Sequence, residues 1–131
     1  MKVLIVEDSA VILEVLNTIL SEIPALKVIG HEESEAGAIK SIDAMLPDVV
    51  VLDISLRPGS GVTVLEYVKK HHPEIVVMVL TNYTDDFYFR RCKNAGADFF
   101  FDKTFQIKQV RAALWNLVYQ RHEDGCSLNP A

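Results

Sequence analysis

Five residues of the kinds that handle metal ions and phosphate follow four separate apolar runs in this 131-residue chain. Glu7 and Asp8 follow Lys2-Val3-Leu4-Ile5-Val6, and Asp53 follows Val49-Val50-Val51-Leu52. Thr81 follows the run from Ile75 to Leu80, and Lys103 follows Asp98-Phe99-Phe100-Phe101-Asp102. Three carboxylates brought within a few ångströms of one another repel and raise each other's pKa. A hard divalent cation with oxygen ligands relieves that repulsion, and Mg2+ suits such a set. A carboxylate held between a metal ion and an ammonium group can attack a phosphoryl group, while the two cations neutralise charge on its oxygens. The Thr81 hydroxyl can donate to one of those oxygens. Each residue alone has an ordinary explanation: a solvated loop for Glu7-Asp8, a loop or helix cap for Asp53, a strand-end cap for Thr81, a surface lysine for Lys103. The joint placement at strand ends favours the chemistry, provided the fold makes the five meet.

The elements that must do this are legible from periodicity. Val49 to Leu52 is a short continuous apolar run, as expected of a strand buried on both faces of a parallel sheet. Lys2 to Val6 and Ile75 to Leu80 read the same way. Lys27 to Gly30 is a weaker strand, and Asp98 to Phe101 a short one. Ser9 caps a helix whose Val11, Ile12, Val15, Leu16, Ile19 and Leu20 recur at helical spacing until Pro24. Ser34 to Leu46 reads as a helix burying Ala38, Ile39, Ile42 and Met45. Ser60 caps a third, with Val64, Leu65 and Val68 inward. Asp86 to Ala95 is a fourth, closed by Gly96. Phe105 to Val118 marks a fifth, with Trp115 off its apolar stripe. Phe87, Tyr88 and Phe89 read mainly as packing residues. Five strands alternating with five helices imply an α/β doubly wound parallel sheet in the order 2-1-3-4-5. Ligands bind at the carboxyl edge of such a sheet.

Composition narrows the partners. Hydrophobic residues make up 50% of the chain, enough for a real core, and the net charge is −5. That balance argues against direct nucleic-acid binding by this chain, which would need a basic face. No apolar run has the length of a membrane span. Cys92 and Cys126 stand in no metal-ligand spacing, which points to reduced thiols and a cytoplasmic location. His31, His71, His72 and His122 have no spacing for metal or catalysis. One domain over residues 1–122 is expected, with a frayed tail over 123–131.

The chain resembles the receiver domains of two-component response regulators over about residues 2 to 120, on Glu7-Asp8, Asp53, Gly61, Thr81, Phe100, Lys103 and Gly96-Ala97-Asp98. The resemblance implies a flavodoxin-like receiver fold with Asp53 as phospho-acceptor, loaded by a histidine kinase or histidine phosphotransfer protein. It implies Mg2+ held by Asp8, Asp53 and the backbone carbonyl of Ser55, with Glu7 acting through water. Thr81 and Phe100 would be the switch pair and Lys103 the phosphate-binding cation. Asn82 where Ala or Gly is usual, Phe100 for Tyr, Thr104 for Pro, and Leu56-Arg57-Pro58 after the acceptor depart from the common pattern. The responding face would be the fourth helix, fifth strand and fifth helix. Its mixed charges, Arg90, Arg91, Lys93, Asp98, Asp102, Lys108 and Arg111, suggest a phosphorylation-dependent homodimer or a downstream partner. Two alternatives are a metal-dependent aspartyl-phosphate phosphatase and the receiver fragment of a larger DNA-binding transcriptional regulator. A phosphatase of the haloacid dehalogenase type needs a second Asp where Ser55 stands. A flavodoxin-like electron carrier needs a phosphate loop where the chain has Glu7-Asp8-Ser9.

Overall fold

Strands with apolar residues on both faces need cover on both, and the helices between them supply it. In order these are β1 (Lys2–Val6), α1 (Ala10–Ser21), β2 (Lys27–Glu32), α2 (Glu35–Met45), β3 (Val49–Leu52), α3 (Gly61–His71), β4 (Val76–Thr81), α4 (Asp86–Asn94), β5 (Phe99–Asp102) and α5 (Ile107–Leu128). This computed structural model describes residues 1–56, 58–83 and 85–128, with side chains through Arg121. The strands pair in parallel in the order β2-β1-β3-β4-β5, the expected doubly wound sheet.

The period-two alternation of the strands divides the core in two. Leu4, Val6, Val50, Leu52, Val77 and Val79 pack with Ile42, Leu65, Val68 and Cys92 from α2, α3 and α4. Val3, Ile5, Val49, Val51, Met78 and Leu80 pack with Leu16, Leu20, Val110 and Leu114 from α1 and α5. Every side chain of β3 is buried, because the strand is central and covered on both faces. Side-chain oxygens start the helices: Ser9, Ser34, Ser60 and Asp85 accept from Ile12, Gly37, Val62 and Tyr88 N–H groups.

Some local expectations are corrected. β2 runs to Glu32, beyond Gly30, because pairing with β1 carries the polar residues His31 and Glu32 into the ladder. β5 is shifted to Phe99–Asp102, since Asp102 pairs with Thr81. Val11 and Met45 are exposed, lying at the rims of their helix stripes. Phe105 precedes α5 and is also exposed, and Phe87 is exposed rather than packed. α5 runs from Ile107 through Leu128. Residues 129–131, Arg57 of the departing loop, and the side chains of His122 and Cys126 lie outside the described residues. Trp115 is partly exposed, as its position predicts.

The amino edge of the sheet is tied by Lys69. Its ammonium donates to the Ile75 carbonyl at 2.6 Å and to Asp98 Oδ2 at 2.7 Å. The same Asp98 oxygen accepts the Val77 N–H at 2.9 Å. Gly96, at φ +99°, turns the chain out of α4 directly above the Lys69 stem.

At the opposite edge Gly61 opens α3 against the end of β3, its N–H donating to the Ile54 carbonyl at 3.0 Å. A Cβ on Gly61 would stand 2.1 Å from the Asp53 carbonyl oxygen and 2.4 Å from Ile54 Cα. Both are backbone atoms with no rotamer to yield. Gly61→Ala should therefore destabilise the protein by about 2 kcal/mol or more, read from chemical denaturation. A loss under about 0.5 kcal/mol would show that α3 can back away from β3.

Candidate functional site

Backbone ladder bonds extend past the strand ends and fix where each functional residue leaves the sheet. Asp53 N–H donates to the Val6 carbonyl at 2.9 Å, Glu7 N–H to Glu32 at 2.9 Å, and Lys103 N–H to Thr81 at 3.0 Å. The structure thereby brings Glu7, Asp8, Asp53, Thr81 and Lys103 to one edge, the carboxyl edge, as the sequence predicts. Asp53 and Thr81 are essentially inaccessible, Glu7 is 2% exposed, and Asp8 alone among the acids faces solvent.

The Lys103 ammonium joins the buried acids, 2.9 Å from Glu7 Oε1 and 3.0 Å from Asp53 Oδ2. The other Asp53 oxygen accepts both the Ser55 N–H at 3.0 Å and the Ser55 hydroxyl at 3.1 Å. Glu7 Oε1 also accepts the Ser9 N–H at 3.0 Å. Burial pushes the Glu7 carboxyl above the usual glutamate range; the Lys103 hydrogen bond offsets part of this, and the Asp53 charge adds to it. For Lys103, burial alone would lower the pKa, but the hydrogen bonds and charges of Glu7 and Asp53 outweigh it and the ammonium is held above its ordinary value. Carboxylate oxygens of Glu7, Asp8 and Asp53 lie within 4.8 Å of one another, an all-oxygen donor set that fits a hard cation.

The Thr81 hydroxyl oxygen accepts the Tyr83 N–H at 3.0 Å, so its own hydrogen remains available as a donor. Phe100 is half-buried and meets Phe89 edge-to-face at 5.3 Å. Asn82 and Thr104, two departures from the common pattern, touch each other: the Thr104 hydroxyl donates to Asn82 Oδ1 at 3.3 Å. They bridge the loops that carry Thr81 and Lys103. The half-exposed Tyr83 ring meets Tyr88 at a tilt, centroids 5.3 Å apart.

Several roles were missed in the sequence. Ser55, singled out for its carbonyl, also serves through its N–H and hydroxyl, which both donate to Asp53. His72, assigned no role, is 2.8 Å from Asp43 Oδ1, and Asp43 also accepts the Tyr67 hydroxyl at 2.6 Å. These bonds, Tyr67 first, hold the Asp43 carboxyl below its usual range. The acids expected to pair across a dimer are already engaged within the chain. Asp98 binds Lys69, Asp102 Oδ1 accepts the N–H groups of Thr104 and Phe105, and Arg111 binds Glu22. Cys92 is a buried free thiol.

The shifts have a pH consequence. Glu7 is raised, so its contribution to stability is full below its unfolded pKa and is lost as pH rises through the folded value. Lys103 is also raised, so its contribution is present below about pH 10.4 and lost above that as the folded group titrates. Lys103→Met should leave Glu7 and Asp53 uncompensated and cost about 3–5 kcal/mol at pH 7 without metal. At pH 5 the cost should be smaller, because the raised Glu7 carboxyl is more readily protonated there than at pH 7. Denaturation at the two pH values checks this; equal losses would contradict the coupling.

The geometry agrees with what related proteins carry. The family model described as the response regulator receiver domain matches residues 3–115. A protein-glutamate methylesterase/protein-glutamine glutaminase of Geobacillus kaustophilus is 39% identical over 84 residues, 64% of this chain and 24% of that protein. The response regulator protein VraR of Staphylococcus saprophyticus is 30% identical over 113 residues, 86% of this chain and 54% of that one. The chain thus spans about a quarter of the first relative's length and about half of the second's. The response regulator domain of Thermotoga maritima CheB superposes with a TM-score of 0.79 at 26% identity, covering 92% of this chain and 94% of that one. The signal receiver domain of the response regulator NarL from Mycobacterium tuberculosis shares the fold, with a TM-score of 0.78 at 22% identity over 93% and 95% of the two chains. With strand order, acid cluster and strand-end lysine all in place across the matched span, the chain belongs to the response regulator receiver family.

Proposed function

We propose that this receiver takes a phosphoryl group onto Asp53 from a histidine kinase or histidine phosphotransfer protein. One observation carries the reading: Asp53 is buried at the carboxyl edge, 3.0 Å from the Lys103 ammonium and within 4.8 Å of two further carboxylates. Asp8, Asp53 and the Ser55 carbonyl would hold Mg2+ directly, with Glu7 acting through water. When bound, the ion supplies positive charge beside the transferring phosphoryl oxygens.

The chain's own groups do the rest. An Asp53 carboxylate oxygen forms the new P–O bond as the donor's P–N bond breaks. The bonding electrons leave with the donor imidazole. Lys103, until then shared by Glu7 and Asp53, turns its ammonium to a phosphoryl oxygen. Thr81 donates its free hydroxyl hydrogen to another. Phe100 follows into the space that Thr81 leaves, at the cost of its contact with Phe89. The altered α4, β5 and α5 surface is what a downstream partner reads.

A second reading is favoured by the partial coverage of the relatives: this receiver is one part of a longer regulator. The acidic balance concerns this chain alone, and one structural neighbour is described as a DNA-binding response regulator of Staphylococcus aureus. Any DNA contact would then belong to a segment outside these residues. The native protein should run well above 14.7 kDa on an immunoblot; a band at 14.7 kDa would sink this reading. Among the described residues no helix is long and apolar enough to cross a membrane.

With Mg2+ and acetyl phosphate, the protein should gain one base-labile phosphoryl group, and Asp53→Asn should abolish it. Labelling of Asp53→Asn at the wild-type level, measured by intact mass, would move the nucleophile elsewhere.

A further inference from the structure

The loop between β3 and α3 carries Ser55, so its position sets where a Ser55 carbonyl can act. The base of this loop is fixed by packing, with Ile54 and Leu56 buried and the Gly61 N–H bound to the Ile54 carbonyl at 3.0 Å. The apex, from Pro58 to Ser60, is polar and near the surface. Among the described residues, its hydrogen bonds from outside the loop and α3 both come from one residue, Glu35, the first of α2. The Glu35 N–H donates to the Pro58 carbonyl at 3.2 Å. Its carboxylate Oε1 accepts the Ser60 N–H at 2.9 Å. Gly59 lies between these bonds at φ +106°, and a Cβ there would stand 2.3 Å from Glu35 Cβ. The loop backbone therefore rests directly on the Glu35 side chain, a fit that only glycine allows.

Two bonds flanking one contact fix both the place and the direction of the segment, where one bond would leave it free to rotate. The bond to Ser60 is charge-assisted, and the amino end of α2 favours the carboxylate that makes it. Ser60 in turn caps α3 through the Val62 N–H at 3.2 Å. The chain of contacts thus runs from α2 through the loop apex to the start of α3, and at Gly61 back onto Asp53.

We infer that Glu35 is a positioning residue for the acceptor site, a clamp that holds the β3–α3 loop so that Ser55 is preset for Mg2+. This rests on the reading of Asp53 as acceptor and of Ser55 as a metal-holding residue. Glu35 acts through the loop; its bonds go to Pro58 and Ser60. A merely helix-stabilising glutamate would act through its charge on α2, which separates the two roles experimentally. The amide of Glu35→Gln keeps an oxygen for the Ser60 N–H but loses the charge.

Two readouts test the clamp: calorimetric Mg2+ titration without phosphodonor, and amide hydrogen exchange of the metal-free protein by NMR. Glu35→Ala should weaken Mg2+ binding about tenfold, as loss of a supporting contact behind a metal ligand does. Glu35→Gln should stay within about twofold of wild type. Gly59→Ala, which pushes the loop off Glu35 from the other side, should reproduce the loss and covers the case in which Glu35→Ala folds poorly. In the metal-free protein, Glu35→Ala should speed exchange at Ser55 as well as at Ser60, with the β1 amides unchanged. Faster exchange confined to Ser60 overturns the inference; so does, where wild type binds Mg2+ more tightly than Asp8→Ala, an affinity unchanged in Glu35→Ala or equally weakened in Glu35→Gln. Asp8→Ala is the control on the underlying reading. If wild type and Asp8→Ala bind Mg2+ equally poorly while Ser55 exchange still rises in Glu35→Ala, the metal assignment fails and the clamp stands.

Discussion

An ammonium group shared by two buried carboxylates is the constraint on which the rest of this molecule depends. Lys103 comes from the far end of the chain, 96 residues from Glu7 and 50 from Asp53. Its contacts therefore close the fold as well as the site. The energetics are close to balanced. A unit-charge pair at this range is worth on the order of 5–6 kcal/mol at an effective dielectric near 20, while burying each ion costs several kcal/mol. A hydrophobic trio of similar volume would serve stability as well. What it could not do is keep two ionisable acids and a cation together at the carboxyl edge.

That balance explains the division of labour among the acids. Glu7 and Asp53 are covered and share the lysine, whereas Asp8 stays at the solvent side. Carboxylates still outnumber the cation, so the cluster is left short of positive charge on the side from which an ion can enter. Burial of Asp53 keeps its surroundings fixed while the exposed Asp8 keeps them reachable. Receiver family membership and this arrangement of charge point the same way, although they rest on separate observations.

The sheet and its edge were readable because both obey short-range rules. Apolar runs such as Val49 to Leu52 declare burial, and parallel topology then sends every strand end to the same side. Caps at Ser9, Ser34 and Ser60 obey equally local chemistry. What stayed hidden depends on pairs far apart in sequence. Nothing in Glu35 or Gly59 alone shows that they touch, and nothing in Asn82 or Thr104 alone shows that two departures from a pattern meet. His72 lacked any motif because its partner, Asp43, sits on another helix. β2 was underestimated because an edge strand tolerates polar residues such as His31 and Glu32 that a central strand would not. Val11 and Phe87 failed for a different reason: periodicity locates an apolar stripe but not how far its partner surface reaches.

The Lys69 network has a mechanical meaning. The tail of α4 is anchored on every side: Cys92 is buried in the core, the Ala97 N–H returns to the Cys92 carbonyl at 3.0 Å, and Gly96 and Asp98 sit on Lys69. Its head, beside Thr81, is held by its own Asp85 cap and by half-exposed aromatic rings. α4 is thus a lever with its fulcrum at the amino edge of the sheet. A push delivered near Thr81 would therefore meet less resistance at the head of the helix than at its Lys69-bound tail. Displacement grows along α4 toward its first turn, so Asp86 and Phe87 travel farthest from a small movement at the buried hydroxyl.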